Sequence, residues 1–128
     1  MIDGLDPGAL LARTYALPGG PRVTLRLARA RDVTGIDALL RAQGGPHDEL
    51  EAARLVNCDI GRRRVLCATA LIGASEQVVG FGVIDLSDVG AIAPTTVVVD
   101  EQFADGLAPL LHDALVGHAG GLRRSRAA

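Results

Sequence analysis

Two apolar runs joined by a short turn constrain this chain more than any other feature. Arg64 to Ile72 (RVLCATALI) is apolar on both alternating faces, which requires a strand covered from both sides. The segment GASE turns the chain, and Gln77 to Leu86 (QVVGFGVIDL) reads as a second strand. So short a connection joins antiparallel neighbours, which places a hairpin at the centre of a sheet. Gly80 and Gly82 thin the second strand, where a bulge or a close backbone neighbour is expected.

Other elements must cover that hairpin. Arg22 to Ala28 (RVTLRLA) alternates, with Val23, Leu25 and Leu27 on one face, and reads as a half-buried strand. Asp32 offers an N-cap oxygen to a helix in which Val33, Ile36, Leu39 and Leu40 form one stripe, ended by Gly44-Gly45. A second helix is expected from about Pro46, with Asp48 and Glu49 near its positive end, to about Cys58. After the loop SDVGAIAP, Thr95 to Val99 reads as a short strand. A last helix follows, with Leu107, Leu110, Leu111, Ala114 and Leu115 on one face. The predicted order is β-α-α-β-β-β-α, an α/β domain of α+β type with a mostly antiparallel sheet flanked by helices. Residues 1–21, which end in the turn-rich LPGGP, are expected to be a flexible tail; residues 22–120 form the domain; residues 121–128, after Gly120-Gly121, are expected to fray.

A chain of 128 residues is the length of one domain. Its aromatic share is 2%, so the core must be filled by Val, Leu, Ile and Ala rather than by aromatic anchors. Net charge is −2 and there is no Lys, which excludes a Schiff-base or phosphate-loop lysine. With neither a basic face nor aromatic platforms, nucleic-acid binding is not expected. No apolar stretch is long enough to span a bilayer, and the start lacks the pattern of a secretory signal, so no membrane role and a cytoplasmic location are expected. Cys58 and Cys67 show no CxxC spacing and read as reduced thiols, Cys67 in the core. His112 and His118 are six apart on a helix and point to different faces, and with His47 they suggest no metal site.

From the first strand to the last helix the chain resembles the GCN5-related N-acetyltransferase (GNAT) family. The likeness rests on VTLRLARARDVTGIDALL, on the hairpin VLCATALIGASEQVVGFGVIDL, and on TTVVVDEQFADGLAPLLHDAL. It spans roughly residues 22–120 and stops after the family's third helix, before its remaining strands. It implies an N-acyltransferase that moves an acyl group from acetyl-CoA, or another acyl-CoA, to an amine of a small molecule or protein. The backbone of Val97, Val98 and Val99 would lie along the pantetheine. Phe103, Asp105, Gly106, Leu107 and Ala108 would form the pyrophosphate loop, because unpaired amides at a helix start make an anion site.

The family's loop carries Arg or Gln where Phe103 stands, and Asp105 puts a carboxylate inside the cradle. The spacing to Leu110-Leu111 is one residue short. A structural reading therefore stands beside the cofactor reading: Asp105 as N-cap, Pro109 in the first turn, and Leu107, Leu110 and Leu111 as core. The frequent catalytic Tyr lies in the part of the family that this chain lacks, and the only Tyr here is Tyr15. Asp100 and Glu101 read first as solvated turn residues. No catalytic residue is assigned. A second functional reading is a non-catalytic interaction module, with a homodimer or partner chain at the edge formed by residues 95–99.

Overall fold

In the computed structural model, residues 13–44, 48, 50–58, 62–85 and 94–127 are described. Five strands form one antiparallel sheet in chain order: β1 (Arg13–Ala16), β2 (Arg22–Leu27), β3 (Arg63–Ile72), β4 (Ser75–Asp85) and β5 (Pro94–Val99). Helices α1 (Val33–Ala42) and α2 (Glu51–Val56) lie between β2 and β3, and α3 (Ala104–Ala127) follows β5. The α+β order expected from the sequence holds, with one strand added at its start. The expected loop at 87–93, together with Pro46, His47 and Glu49, lies outside the described residues.

The β3–β4 hairpin is covered on both faces, which accounts for its two-sided apolar sequence. On one face Leu66, Ala68, Ala70, Val79 and Ile84 pack with Val23 and Leu25 against Leu107, Leu111 and Leu115 of α3. On the other, Val65, Cys67, Phe81 and Val83 pack against Ile36 and Leu39 of α1 and Ala52 and Leu55 of α2. Each fully buried leucine of α3 contributes about 2 kcal/mol through burial. Burial also pushes the Cys67 thiol up to about 12, as an inert core cysteine requires.

The glycines of β4 set how closely α3 lies. A Cβ on Gly82 would stand 2.3 Å from Leu115 Cδ1, and one on Gly80 would stand 3.0 Å from both Leu107 Cδ2 and Leu111 Cδ1. The register slips between Ala68 and Thr69 opposite Gly80 and Val78, so Val79 is an extra residue on β4. This is the bulge that the glycines suggested.

Several expectations are corrected. Arg13–Ala16, read as tail, pairs with β2 from Arg13↔Leu25 to Ala16↔Arg22, so Tyr15 is part of the sheet. The turn after it closes with Leu17 N–H donating to Pro21 O at 2.7 Å, while Gly19 and Gly20 take the positive φ that Gly tolerates. Helix α2 begins at Glu51, later than Pro46. The backbone of α3 runs through Gly120-Gly121 to Ala127, so the helix does not stop at the expected Gly-Gly. Gly stops a helix when it can turn the chain into the left-handed region, and neither of these glycines has a positive φ.

Replacing Gly82 by Val is expected to destabilise the domain by about 1–3 kcal/mol, because Leu115 must move inside a close-packed layer. A lower urea midpoint with an unchanged m-value checks this.

Candidate functional site

Two surfaces carry the polar chemistry, and both follow from how the sequence turns at the ends of strands. The first is the sheet face that carries α1, from the groove beside that helix across β1–β4. Thr14, Thr24 and Thr69 stand directly opposite one another across three strands, with Thr14 and Thr24 hydroxyls 3.0 Å apart. Thr69 donates to Glu76 Oε2 at 3.1 Å. Two open clefts flank Glu76. One, of 380 Å³, is lined by Thr14, Arg22, Thr24, Thr69 and Leu71. The other, of 540 Å³, is lined by Arg31, Thr34, Gln77, Val78 and Asp100.

Beneath these clefts lies a buried ion pair that sequence reasoning missed. Arg26 on β2 is only 5% exposed and donates from Nη1 and Nη2 to the two carboxylate oxygens of Asp32, at 2.7 and 2.8 Å. Asp32 also accepts from the Arg29 N–H at 2.6 Å, and it makes no side-chain cap bond to α1, so its expected capping role is corrected. The same residue type serves both roles, and only its orientation tells them apart. A signal was present: Arg26 alternates with Leu25 and Leu27, and its face becomes buried once α1 crosses the sheet.

The second guanidinium nitrogen of Arg26 reaches Glu76 Oε1 at 3.2 Å, where Arg31 donates as well. Both oxygens of Glu76 are therefore occupied. Burial works to raise the Asp32 pKa, but hydrogen bonds from Arg26 and the Arg29 amide outweigh it and hold Asp32 below its ordinary value. Glu76 is held low in the same way, against its own desolvation, by Thr69 and Arg26. Two ionised carboxylates saturated by donors make a structural clamp and not a general base, which must be free to take a proton.

The second surface is the junction of β5 and α3, which carries the sequence-derived site. The structure brings Val97, Val98, Val99 and Phe103 to Ala108 into one strand-to-helix turn. Val98 is buried against α1 and α2, while Val97, Val99, Phe103 and Leu107 belong to the α3 side of the core. The Asp100 N–H donates to Val79 O at 2.8 Å. By the alternation of an antiparallel pair, Val98 and Thr96 also turn their backbone groups to β4, and Val97 and Val99 turn theirs outward. No hydrogen bond joins those outward groups to any described residue.

The helix start differs from a loop of free amides. Asp100, half-buried and more than a solvated turn residue, accepts the Gln102 N–H on its carboxylate at 2.9 Å and the Phe103 N–H on its carbonyl at 2.9 Å. The Ala104 N–H donates to Glu101 O. Asp100 is thus the N-cap of a 3-10 turn, Glu101–Phe103, that runs straight into α3. Asp105 lies exposed inside the first turn of α3 and is not its cap, and Pro109 lies in the helix interior and not in the first turn. Gly106 packs on the β1–β2 turn, where a Cβ would stand 2.7 Å from Pro18 Cδ. The outward edge of β5 fits an extended amide chain such as pantetheine. The approach to α3 offers a diphosphate few donors: the Gln102, Phe103 and Ala104 amides are engaged, Asp100, Glu101 and Asp105 add three carboxylates along that stretch of chain, and Gly106 meets another loop.

Among the described residues no group of three or more His, Cys, Asp or Glu side chains is placed to hold a metal, and no helix is long and apolar enough to cross a membrane.

The sheet order, the two-faced cover of the hairpin and the β5–α3 junction define a GNAT fold. No family model matches the chain, and no curated protein matches it. Solved structures do. The GNAT domain of S. lividans PAT superposes with a TM-score of 0.63 at 16% identity, over 92% of this chain and 74% of that one. Arabidopsis thaliana NAA60, solved with a bisubstrate analogue, gives 0.60 at 18% identity over 77% of this chain and 68% of its own. The ribosomal-protein-alanine N-acetyltransferase of Brucella melitensis biovar Abortus 2308 gives 0.55 at 24% identity, over 77% and 71%. The chain shares the architecture of N-acetyltransferases.

Replacing Asp32 by Ala leaves the buried Arg26 guanidinium with only the longer contact to Glu76 and is expected to cost about 3 kcal/mol. The folded pKa values of Asp32 and Glu76 are depressed, so their stabilisation is complete above the ordinary carboxylate range and is lost as pH falls through it and below. Urea titrations across acidic pH should show the wild type losing stability more steeply than the Asp32→Ala variant.

Proposed function

We propose that this chain is a GNAT-fold domain of N-acyltransferase type that has lost acyl-CoA recognition and works as a protein-contact module. One observation carries the reading: the Gln102 and Phe103 amides of the 3-10 turn leading into α3 are consumed by Asp100, the Ala104 amide at its start by Glu101, and the glycine of the expected pyrophosphate loop is packed against Pro18. A diphosphate arriving there meets three carboxylates and few free donors. Glu76, with both oxygens engaged by donors, adds no free base to the clefts beside it.

A working N-acyltransferase that uses acetyl-CoA to acylate a small-molecule or protein amine is the second reading. The outward backbone of Val97 and Val99 favours it, since a pantetheine arm takes such groups, and the similar solved structures are acetyltransferases. That reading needs the thioester carbonyl polarised by backbone N–H groups and an amine positioned against it.

Titration with acetyl-CoA separates the two. A micromolar binder at millimolar ligand would stabilise the fold by about 4 kcal/mol, a rise of several degrees in Tm. The expected result is no heat of binding and an unchanged Tm. Saturable binding, or acetylation of a generic amine above the uncatalysed rate, would overturn the module reading.

A further inference from the structure

The two edges of the sheet are managed differently. Strand β1 has four residues, carries the exposed Arg13, and is followed by a tight turn, all of which discourage pairing. Strand β5 (PTTVVV) has no charged residue. Its outward groups at Val97 and Val99 meet no described partner, and both residues sit on the apolar layer under α3. We propose that β5 pairs antiparallel with β5 of a second copy of this chain, giving a two-fold dimer with one continuous ten-stranded sheet.

Charge selects this direction, and the placement of α3 over β4 and β5 suits a second copy as the occupant. Asp100 and Glu101 follow the strand at one end only. Antiparallel self-pairing centred near Val97 carries the two acidic ends to opposite sides of the interface, whereas parallel pairing would stack them. A two-fold axis perpendicular to the sheet keeps both copies of α3 on the same face, and the apolar layers beneath them become continuous. Because α3 lies over both β4 and β5, the two copies of α3 stand roughly two strand spacings apart, about 10 Å. That is an ordinary helix packing distance. Thr96, which is exposed, falls opposite the neighbourhood of Val98 in the second copy. The inference rests on the contact-module reading in one respect: the edge must not be held by an acyl-CoA arm.

Sedimentation equilibrium of the purified chain over a hundredfold range of concentration tests it. The expected result is a reversible monomer–dimer equilibrium, and a monomer throughout would overturn the proposal. The Thr96→Lys variant puts a cation at the centre of the interface on an exposed position, and should weaken dimerisation at least tenfold with an unchanged unfolding midpoint for the monomer. Wild-type dimerisation retained in that variant would count against β5 as the interface. A variant-free measurement closes the loop: hydrogen exchange at the Val97 and Val99 amides should slow as concentration rises, while the Val98 amide, bonded to β4, stays slow throughout. Exchange at Val97 and Val99 that ignores concentration would overturn the pairing. If acetyl-CoA binds and also dissociates a dimer, the functional reading fails and the dimer stands; if the chain is monomeric and ignores acetyl-CoA, the reverse holds.

Discussion

Helix α3 rests directly on the glycine track of β4, and the geometry at the end of β5 follows from that contact. With Cβ atoms excluded at Gly80 and Gly82, Leu107, Leu111 and Leu115 descend to the sheet and are completely buried. So close a seat fixes where α3 must begin, and only Asp100 to Phe103 separate it from β5. A connection this short has no slack to bulge outward as a loop. It tightens into a 3-10 turn whose amides are satisfied within itself. Packing on the α3 face therefore decides the chemistry at the α3 start.

The opposite face depends on a different constraint. Arg26 stands on the sheet surface that α1 covers, so its charge needs a partner that can follow it into the interior. Asp32 supplies both oxygens, and Glu76 ties the start of β4 to the same guanidinium and to Arg31. The Nε of Arg26 meets no partner among the described residues, so the network is strong in geometry while one donor stays unused. A pair like this adds less to stability than its distances suggest, because desolvation opposes the attraction. Its clearer effect is positional: it ties the residue before α1 to β2 and to the start of β4, beside the clefts around Glu76.

Much of this architecture was legible in the sequence, for physical reasons that also explain the misses. The two-sided runs around Leu66 and Phe81, the stripe of Ile36 and Leu39, and the leucines of α3 are periodic because burial imposes their period. Arg13 to Ala16 escaped because a four-residue edge strand with three exposed side chains has no apolar alternation to show. Asp32 was misread because capping and ion pairing draw on the same carboxylate. The Phe103 to Ala108 segment has a Gly and an Ala at the spacing of a loop, yet one residue fewer before Leu110-Leu111. In a structure where α3 cannot retreat, that one residue converts loop into helix.

The same backbone groups of Val97 and Val99 can serve an extended acyl carrier or a second β5, but not both. Each is an amide chain pairing along one edge, so the choice is made by what lies at the ends of the strand. A cofactor must continue into the start of α3, where its phosphates meet Asp100, Glu101 and Asp105 and where the Gln102, Phe103 and Ala104 amides are already spent. A second β5 need not enter that region, since antiparallel pairing sends it past the acidic end with its own uncharged start. Three carboxylates along that stretch, two of them exposed, repel a diphosphate and offset what strand-like pairing along the edge returns. In the proposed reading the edge takes protein rather than cofactor, and the features that weaken the pyrophosphate seat are those that leave the edge open to pairing.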